Sequence, residues 1–238
     1  MQKIIFFIGA RAGSKGLKNK NIKIFFGKPL IYWTIKQALK SRFCDKIIIS
    51  SDSDKILKLC SKISKKIIPI LRPKKLSTDN SGKFLAWKHA IKKYEKITNS
   101  KIDFLVDLDC TNPLRYKKDI DSLVSKAIKI KNLDAMVTIA DSRKNPYFNM
   151  IEIKKNILKP SKKLKNWPVR RQDAPSVFDQ VASIYCLRGK FVINHNNIYQ
   201  GKVYGYKLKD FQVYDIDSKL DFEIIKFLFK KYKSKLMR

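Results

Sequence analysis

IIFFIGARAGSKGLKNKN, residues 4–21, joins an apolar run to a loop rich in glycine and basic residues. The run is short, β-branched and aromatic, which predicts a buried β-strand. A loop that follows such a strand at its carboxyl end is the usual ligand position in an open α/β sheet. Gly13 and Gly16 allow backbone N–H groups to approach anionic oxygens, and Arg11 and Lys15 add positive charge. We therefore predict a phosphate-binding loop. The alternative is a flexible basic loop, because lysine is abundant throughout the chain.

The glycine spacing excludes the two commonest nucleotide-binding patterns. The dinucleotide fingerprint requires G-x-G-x-x-G, whereas the glycines here are Gly9, Gly13 and Gly16. The Walker A pattern requires G-x-x-x-x-G-K followed by Ser or Thr. The step from Gly9 to Gly13 is one residue too short, and Lys15 is followed by Gly16. The loop therefore predicts phosphate binding of another kind.

In the sequence after this loop, strand-like and helix-like segments alternate. Such alternation is typical of a mostly parallel sheet. The pattern predicts a Rossmann-like open α/β fold with helices on both faces, in a single domain spanning 1–238. The predicted helices are 29–43, 54–66, 84–94, 119–131 and 218–232. The predicted strands are 3–9, 45–52, 103–109, 134–141, 181–187 and 203–217.

Residues 141–175 interrupt this alternation. The segment holds four of the eight prolines and has no helical period. YFNMIEI followed by KKN predicts one hairpin, and the aromatic residues Tyr147, Phe148 and Trp167 favour a packed segment over a disordered linker.

The composition is strongly basic, with a net charge of +33 over 238 residues. Such a charge raises the possibility of a nucleic-acid-binding α/β domain. Only nine of the 53 basic residues are arginine, however, and the lysines are scattered through nearly every segment. We favour a solvated lysine coat over a nucleic-acid-binding face.

The remaining composition narrows the class further. The four cysteines are widely spaced, so we expect isolated buried thiols and no zinc site or disulfide framework. The chain has only two histidines, so a histidine metal site or a histidine-containing catalytic triad is not expected. No apolar run approaches a membrane span, and the N-terminus lacks a secretory pattern. The sequence predicts a cytoplasmic protein without membrane contact.

The loop and the segment after it resemble the N-terminal signature of the acylneuraminate cytidylyltransferases and their relatives for legionaminic and pseudaminic acids. That signature is R-x-G-S-K-G-x-x-x-K-N followed by G-K-P-L, and its fixed residues are all present between Arg11 and Leu30. The resemblance continues in order through LRPKKLSTD, LDCTNPLR, RRQDAP and DIDSKLDF, and so covers almost the whole chain.

The resemblance implies how the loop works. The family uses CTP, and its loop holds the triphosphate, with Lys20 placed to stabilise the α-phosphate during attack and Arg11 assisting. Arg72, in LRP, matches the segment on the cytosine side. The implied nucleotide-binding residues are Ala10, Arg11, Gly13, Ser14, Lys15, Asn21 and Arg72, and the implied catalytic residues are Lys20, Arg11 and Asp217.

DIDSKLDF resembles the family's aspartate pair for Mg²⁺, which implies that Asp215 and Asp217 hold the metal. At alternate positions of a predicted strand end, their carboxylates should point the same way, and two hard oxygen ligands plus phosphate oxygens suit Mg²⁺. The alternative is that Asp217 or Ser218 caps the last helix, with Asp221 as its capping-box partner. We assign Asp221 mostly to that capping role.

Sugar recognition is the part in which the sequence departs most from the family. Sialate enzymes usually carry Gln-Pro where this chain has Asp109 and Cys110, and an acidic residue there is similar to the legionaminate branch. An Asn expected before the small-Ser/Ala-aromatic strand is Val181 here, and Gln180 beside it should point to the other face. The implied substrate-binding residues are Asp109, Arg170, Arg171, Gln172 and Gln180.

The resemblance implies a reaction of CTP with a nonulosonic acid to give a CMP-sugar and pyrophosphate. It also implies a homodimer in which residues 141–175 form a protruding dimerisation arm. A related sugar-acid nucleotidyltransferase of the Kdo type is the alternative, although such enzymes usually carry a different loop. Arg170 or Arg171 is expected to face the sugar carboxylate, because a planar guanidinium binds that anion in bidentate fashion.

Overall fold

The computed structural model describes residues 2–13, 16–78 and 81–237. Ser14 and Lys15 of the predicted phosphate loop lie outside these residues. The described strands are β1 (Ile4–Gly9), β2 (Ile24–Phe25), β3 (Lys28–Pro29), β4 (Lys46–Ser51), β5 (Ile67–Leu71), β6 (Phe104–Leu108), β7 (Ala135–Asp141), β8 (Ile151–Lys154), β9 (Ile157–Pro160), β10 (Phe178–Arg188) and β11 (Val203–Lys207). The described helices are α1 (Leu30–Lys40), α2 (Asp54–Ser61), α3 (Lys83–Thr98), α4 (Lys117–Lys129), α5 (Gly189–Asn194) and α6 (Lys219–Leu236).

The main sheet has seven strands in the order β11-β7-β10-β6-β1-β4-β5. β1 pairs in parallel with β4 and β6, β4 with β5, and β7 with β11. Only β10 runs antiparallel to its neighbours β6 and β7. The chain therefore builds outward from β1 to β5 and then returns to the other side of β1. This reversal confirms the predicted open, mostly parallel sheet.

Helices cover both faces of the sheet, as predicted. Along β1 the side chains alternate, so that Phe6 and Ile8 pack in a cluster with α1, α2, α4 and α6. Ile5 and Phe7 pack on the opposite face in a cluster with α3 and α5. These four side chains are at most 1% exposed. Burial on both faces explains why the central strands are continuously apolar.

The predicted hairpin in the 141–175 segment is present as β8 and β9, which form a separate two-stranded sheet. Lys155 and Asn156 link them with φ angles of 51° and 61°, the left-handed geometry of a tight two-residue turn. Cross-strand pairing places Ile151, Ile153 and Leu158 on one face of the hairpin, and all three are exposed.

One strand prediction was wrong, and one strand of the main sheet was missed. The predicted strand 203–217 ends at Lys207, and Asp210–Gln212 forms a 3-10 turn. From that turn onward the described chain makes single hydrogen bonds to the loop after β6 and no ladder: Asn112 donates to the Gln212 carbonyl and Ile216 N–H to the Thr111 carbonyl. Asp215 and Asp217 therefore do not lie on a strand end. In addition, β5 was not predicted.

Helices in the described ranges are all too short or too polar to cross a membrane. Cys44, Cys60, Cys110 and Cys186 are buried free thiols, as expected. Burial raises the pKa of Cys44 to about 11 and that of Cys60 to about 12.

Candidate active site

A cleft of about 360 Å³ opens where the strand order reverses, between β1 and β6. A reversal of this kind leaves a crevice at the carboxyl ends of the strands, where open α/β sheets bind ligands. The volume lies within the roughly 300–1,000 Å³ typical of small-molecule sites. Six of the predicted site residues line the cleft: Arg11, Lys20, Asn21, Arg72, Asp109 and Asp217.

The described part of the glycine loop is tied to the sheet at its amino end and to its own backbone at its far end. Ala10 is fully buried and donates its N–H to the Ser50 carbonyl. Ala12 N–H donates to Asp52 Oδ1 over 2.9 Å. At the far end, Asn21 Nδ2 donates to the Arg11 carbonyl over 3.0 Å. Ala10 and Asn21 thus fix the loop's path, and Gly13 between them is exposed.

Lys20 links this loop to the far end of the chain. Its ammonium donates to Asp217 Oδ1 over 2.9 Å and to the Ile216 carbonyl. Gly16 packs directly on the same segment, since a Cβ on Gly16 would lie 2.1 Å from the Asp217 carbonyl oxygen. The loop and the 215–217 segment therefore form one wall of the cleft.

The two predicted metal ligands differ in their surroundings. Asp217 is 75% exposed and faces the cleft, whereas Asp215 is half-buried. Burial, together with the negative charges of Asp217 and Asp109, raises the pKa of Asp215. A cation between these carboxylates would relieve that repulsion.

The capping alternative is confirmed for Ser218 and Asp221. Ser218 Oγ accepts the N–H of Asp221 over 3.2 Å, and Asp221 Oδ2 accepts the Ser218 N–H over 2.7 Å. The Ser218 hydroxyl also donates to Asp221 Oδ2 over 2.8 Å, and this hydrogen bond, with those from the Ser218 and Asp217 N–H groups, lowers the pKa of Asp221. The reciprocal pair closes the amino end of α6 and leaves the Asp217 carboxylate outside the cap.

Asp109 belongs to a charged cluster with Asp107 and Lys83. Lys83 Nζ lies 2.8 Å from Asp107 Oδ2 and 2.8 Å from Asp109 Oδ2. Thr111 donates both its N–H and its hydroxyl to Asp109 Oδ1. Burial alone would raise the pKa of Asp109, but Lys83 and the Thr111 hydrogen bonds outweigh it and lower the pKa to about 2.

A buried arginine fixes the backbone of the loop after β6. Arg115 is fully buried and donates to the carbonyls of Ser183, Asp109 and Asn112. Burial lowers the pKa of Arg115 to about 10, so it stays protonated at neutral pH. This clamp holds the backbone of Asp109 while Lys83 and Thr111 hold its carboxylate.

Arg72 lines the cleft from the loop after β5. Its backbone N–H donates to the Ser51 carbonyl over 2.8 Å, and its side chain is buried. Burial lowers the pKa of Arg72, and the neighbouring Arg11 charge acts in the same direction. Three small hydroxyl side chains that follow Arg72 in the chain also line the cleft: Ser77, Thr78 and Ser81.

The predicted sugar-binding residues of RRQ lie outside this cleft. Arg170 is exposed and forms a bidentate ion pair with Asp173, with both N–O distances 3.1 Å. Arg171 donates to the Ser142 carbonyl and lines a second cavity of about 470 Å³ after β7. Gln172 is exposed in the 3-10 turn formed by Arg171–Asp173.

Gln180 also lies outside the cleft, although it reaches a residue beside it. Its Nε2 donates to the Tyr185 hydroxyl over 3.4 Å, and its Oε1 accepts the Tyr199 hydroxyl. Val181 is buried on the opposite side of β10, as the alternation predicted. The Gln180 amide is thus held by two tyrosines.

Lys83, Thr111 and Ser77 line the cleft but were not among the predicted site residues. Thr111 and Ser77 lie inside LDCTNPLR and LRPKKLSTD, and their hydroxyls were the signal that could have identified them. Lys83 carried no signal, because one more lysine is not distinctive in a chain with 53 basic residues.

Comparison with known proteins identifies the family. A family model described as cytidylyltransferase matches residues 5–235. Post-translational flagellin modification protein B of Campylobacter coli is 33% identical over 230 residues, covering 97% of this chain and 96% of that protein. CMP-N,N'-diacetyllegionaminic acid synthase of Campylobacter jejuni is 33% identical over 228 residues, covering 96% of this chain and 95% of that protein.

Solved structures give the same fold. The structure of CMP:2-keto-3-deoxy-manno-octonic acid synthetase complexed with CTP superposes with a TM-score of 0.72 and covers 97% of this chain and 99% of that one. Its sequence identity is 14%, so this likeness concerns the fold alone.

Proposed function

Because the chain belongs to the cytidylyltransferase family, we propose that it transfers CMP from CTP to a nonulosonic acid and releases pyrophosphate. The observation that carries this proposal is the cleft in which Arg11, Lys20, Asp109 and Asp217 meet at the strand reversal. The name of the C. jejuni relative supports a nonulosonic acid as the acceptor. The proposal includes a cytoplasmic location, where CTP is available.

In the proposed reaction the anomeric hydroxyl of the sugar acid attacks the α-phosphorus in line. A new O–P bond forms, the bond from the α-phosphorus to the bridging oxygen breaks, pyrophosphate leaves, and the proton of the attacking hydroxyl passes to solvent water. Arg11 and Lys20 would offset the charge that develops on the phosphates, and positioning supplies most of the rate enhancement. Asp109, with a pKa of about 2, is too weak a base at neutral pH and serves as a hydrogen-bond acceptor.

A divalent cation fits the donors present, and Mg²⁺ is the proposed ion. In the described ranges no three His, Cys, Asp or Glu side chains form a cage of their own. Mg²⁺ usually binds through one or two carboxylates plus substrate phosphates. Asp215 and Asp217 could provide the carboxylates. Bound there, the ion would neutralise phosphate charge. Lys20, now paired with Asp217, would then be released toward the α-phosphate.

The sugar-binding and dimer roles of residues 141–175 complete the proposal. Arg171 lines a second cavity rather than the main cleft, so one chain alone does not bring the RRQ motif to the nucleotide. The exposed hairpin face of Ile151, Ile153 and Leu158 has the apolar character of an interaction surface. We propose that a second copy covers this face.

A substrate panel tests the proposed function. The protein is incubated with Mg²⁺, each of the four NTPs and several sugar acids, including legionaminic, pseudaminic, neuraminic and Kdo, and pyrophosphate is measured. We expect pyrophosphate release only with CTP, and we expect more release with a nonulosonic acid than with Kdo. Preference for Kdo would favour the alternative acceptor, and no release with CTP and any acid would refute the proposal.

A further inference from the structure

The buried carboxylate of Asp107 has no part in the proposed reaction and needs a separate explanation. It lies inside β6 between Phe7 of β1 and Tyr185 of β10, and it is 0% exposed. Its Oδ2 accepts Trp87 Nε1 over 3.0 Å and contacts Lys83, while Oδ1 has no hydrogen-bond partner in the described structure. Burial raises the pKa of Asp107, which shows that the site disfavours this charge.

Stability does not explain such a residue. Replacing a buried ion pair by apolar side chains of similar volume is often neutral or stabilising. The pair between Asp107 and Lys83 instead lies at the wall of the ligand cleft, since Lys83 lines it with a side chain that is 35% exposed. The ammonium is confined from a third side by the Tyr185 ring, whose centroid is 4.5 Å from Nζ.

The held ammonium acts on Asp109. Asp109 Oδ1 accepts two donors from Thr111, and Oδ2 accepts Lys83 alone. A carboxylate offers about four lone-pair positions, so one position remains on Oδ2. Asp109 is 20% exposed and lines the cleft, which makes that oxygen available to a ligand.

We propose that Lys83, anchored by Asp107, is a positioning residue that presents Asp109 Oδ2 to a hydroxyl group of a bound substrate. This inference rests on the proposed function and names a contact within it. The hydroxyl belongs either to the ribose of CTP or to the acceptor sugar, and the two sources are distinguished below.

The test is a double-mutant cycle on Lys83→Met and Asp109→Asn. Binding of CTP is measured by titration calorimetry without acceptor, and KM for each substrate is measured by pyrophosphate release. We expect each single change to weaken one substrate about tenfold or more, the size of a lost charge-assisted hydrogen bond. Because Lys83 acts through Asp109, the double variant should be no weaker than Asp109→Asn.

The substrate that is weakened identifies the hydroxyl. If it is the ribose, the wild type should discriminate against 2'-deoxy- or 3'-deoxy-CTP, and both single variants should lose that discrimination. If it is the sugar acid, CTP binding should stay unchanged while the KM for the acid rises. In either case kcat should change less than the affected KM.

Controls separate positioning from folding. Lys88→Met lies on the same helix, where Lys88 contacts Asn196 outside the cleft, and should leave both KM values unchanged. Lys83→Arg keeps the charge and should recover part of the loss. If Lys83→Met does not fold, Lys83→Gln with Asp107→Asn removes both buried charges and enters the same cycle.

Two results would overturn the inference. One is wild-type binding of both substrates by a folded Lys83 variant. The other is full additivity of Lys83→Met on the Asp109→Asn background, which would show that Lys83 acts independently of Asp109. A wild type that binds no CTP would instead refute the proposed function, so the two failures are distinguishable.

Discussion

Gly16 is the position at which a single methyl group should separate the loop from the 215–217 segment that packs on it. The obstructing atom is a backbone oxygen, that of Asp217 at 2.1 Å from the added Cβ, and it cannot rotate away. We expect Gly16→Ala to reduce CTP affinity about tenfold or more and to cost roughly 1–3 kcal/mol of stability through overpacking. Calorimetric titration and urea denaturation measure the two effects.

Gly82→Ala is the matched control for this change. A Cβ on Gly82 meets nothing within 4 Å, so CTP affinity and stability should both stay close to those of the wild type. Equal behaviour of the two variants would contradict the contact between the loop and the 215–217 segment.

Asp217→Ala tests the metal and Lys20 assignments together. Loss of this carboxylate should reduce turnover about 100-fold or more. An exposed ion pair contributes at most about 1 kcal/mol to the free energy of unfolding, so Tm should fall by less than about 4 °C. Pyrophosphate release and a thermal melt give the two values. Turnover that survives in a folded variant would contradict the assignment.

At the scale of elements, the cap of α6 couples stability to the site. Ser218→Ala removes the side-chain acceptor of the Asp221 N–H. We expect a loss of about 1 kcal/mol in the free energy of unfolding, measured by urea denaturation. Ser234→Ala removes the same hydroxyl from the exposed last turn of α6 and should change stability much less. An equal loss in both variants would argue against a capping role.

The elements that the sequence predicted well are those with a strong local pattern. The continuous apolar runs of β1, β4 and β6 and the amphipathic period of α3 and α4 required no tertiary information. β5 was not predicted because Pro69 interrupts its run of apolar residues, and a proline argues against a central strand. In the structure β5 is an edge strand, where proline is tolerated.

Other features depend on contacts that no local pattern encodes. Val213, Tyr214 and Ile216 suggest a strand, but the segment is fixed through Thr111 and lacks a ladder partner. The motif resemblance pointed to Arg11, Arg72 and Asp217, and all three line the cleft. It did not reveal Lys83, whose ammonium is held by Asp107 and Asp109 at β6, more than 20 residues away in sequence.

At the scale of the whole molecule, the hairpin face offers a test of assembly. If a second copy covers it, Ile153→Lys with Leu158→Lys should shift the protein from dimer to monomer in sedimentation velocity. The control is Ile157→Lys, because Ile157 is also exposed but lies on the opposite face with Lys154. Dissociation by the control alone, or by neither variant, would contradict the proposed interface.

The net charge of +33 concerns the entire surface. If the lysines form only a solvated coat, excess duplex DNA at 0.15 M salt should leave the KM for CTP unchanged, because such charges are screened over about 8 Å. Inhibition by DNA that falls steeply with added salt would favour a nucleic-acid-binding face. Pyrophosphate release over a salt series measures the effect.

The Lys20–Asp217 pair joins residues 197 positions apart, and this separation has a consequence for biosynthesis. At about 5–20 residues per second, a ribosome makes Lys20 roughly 10–40 s before Asp217. Throughout that interval the emerging chain carries the glycine loop without the 215–217 segment that completes its wall of the cleft. A nascent chain stalled before residue 216 should therefore bind no CTP, and nucleotide binding should begin only when translation is almost complete.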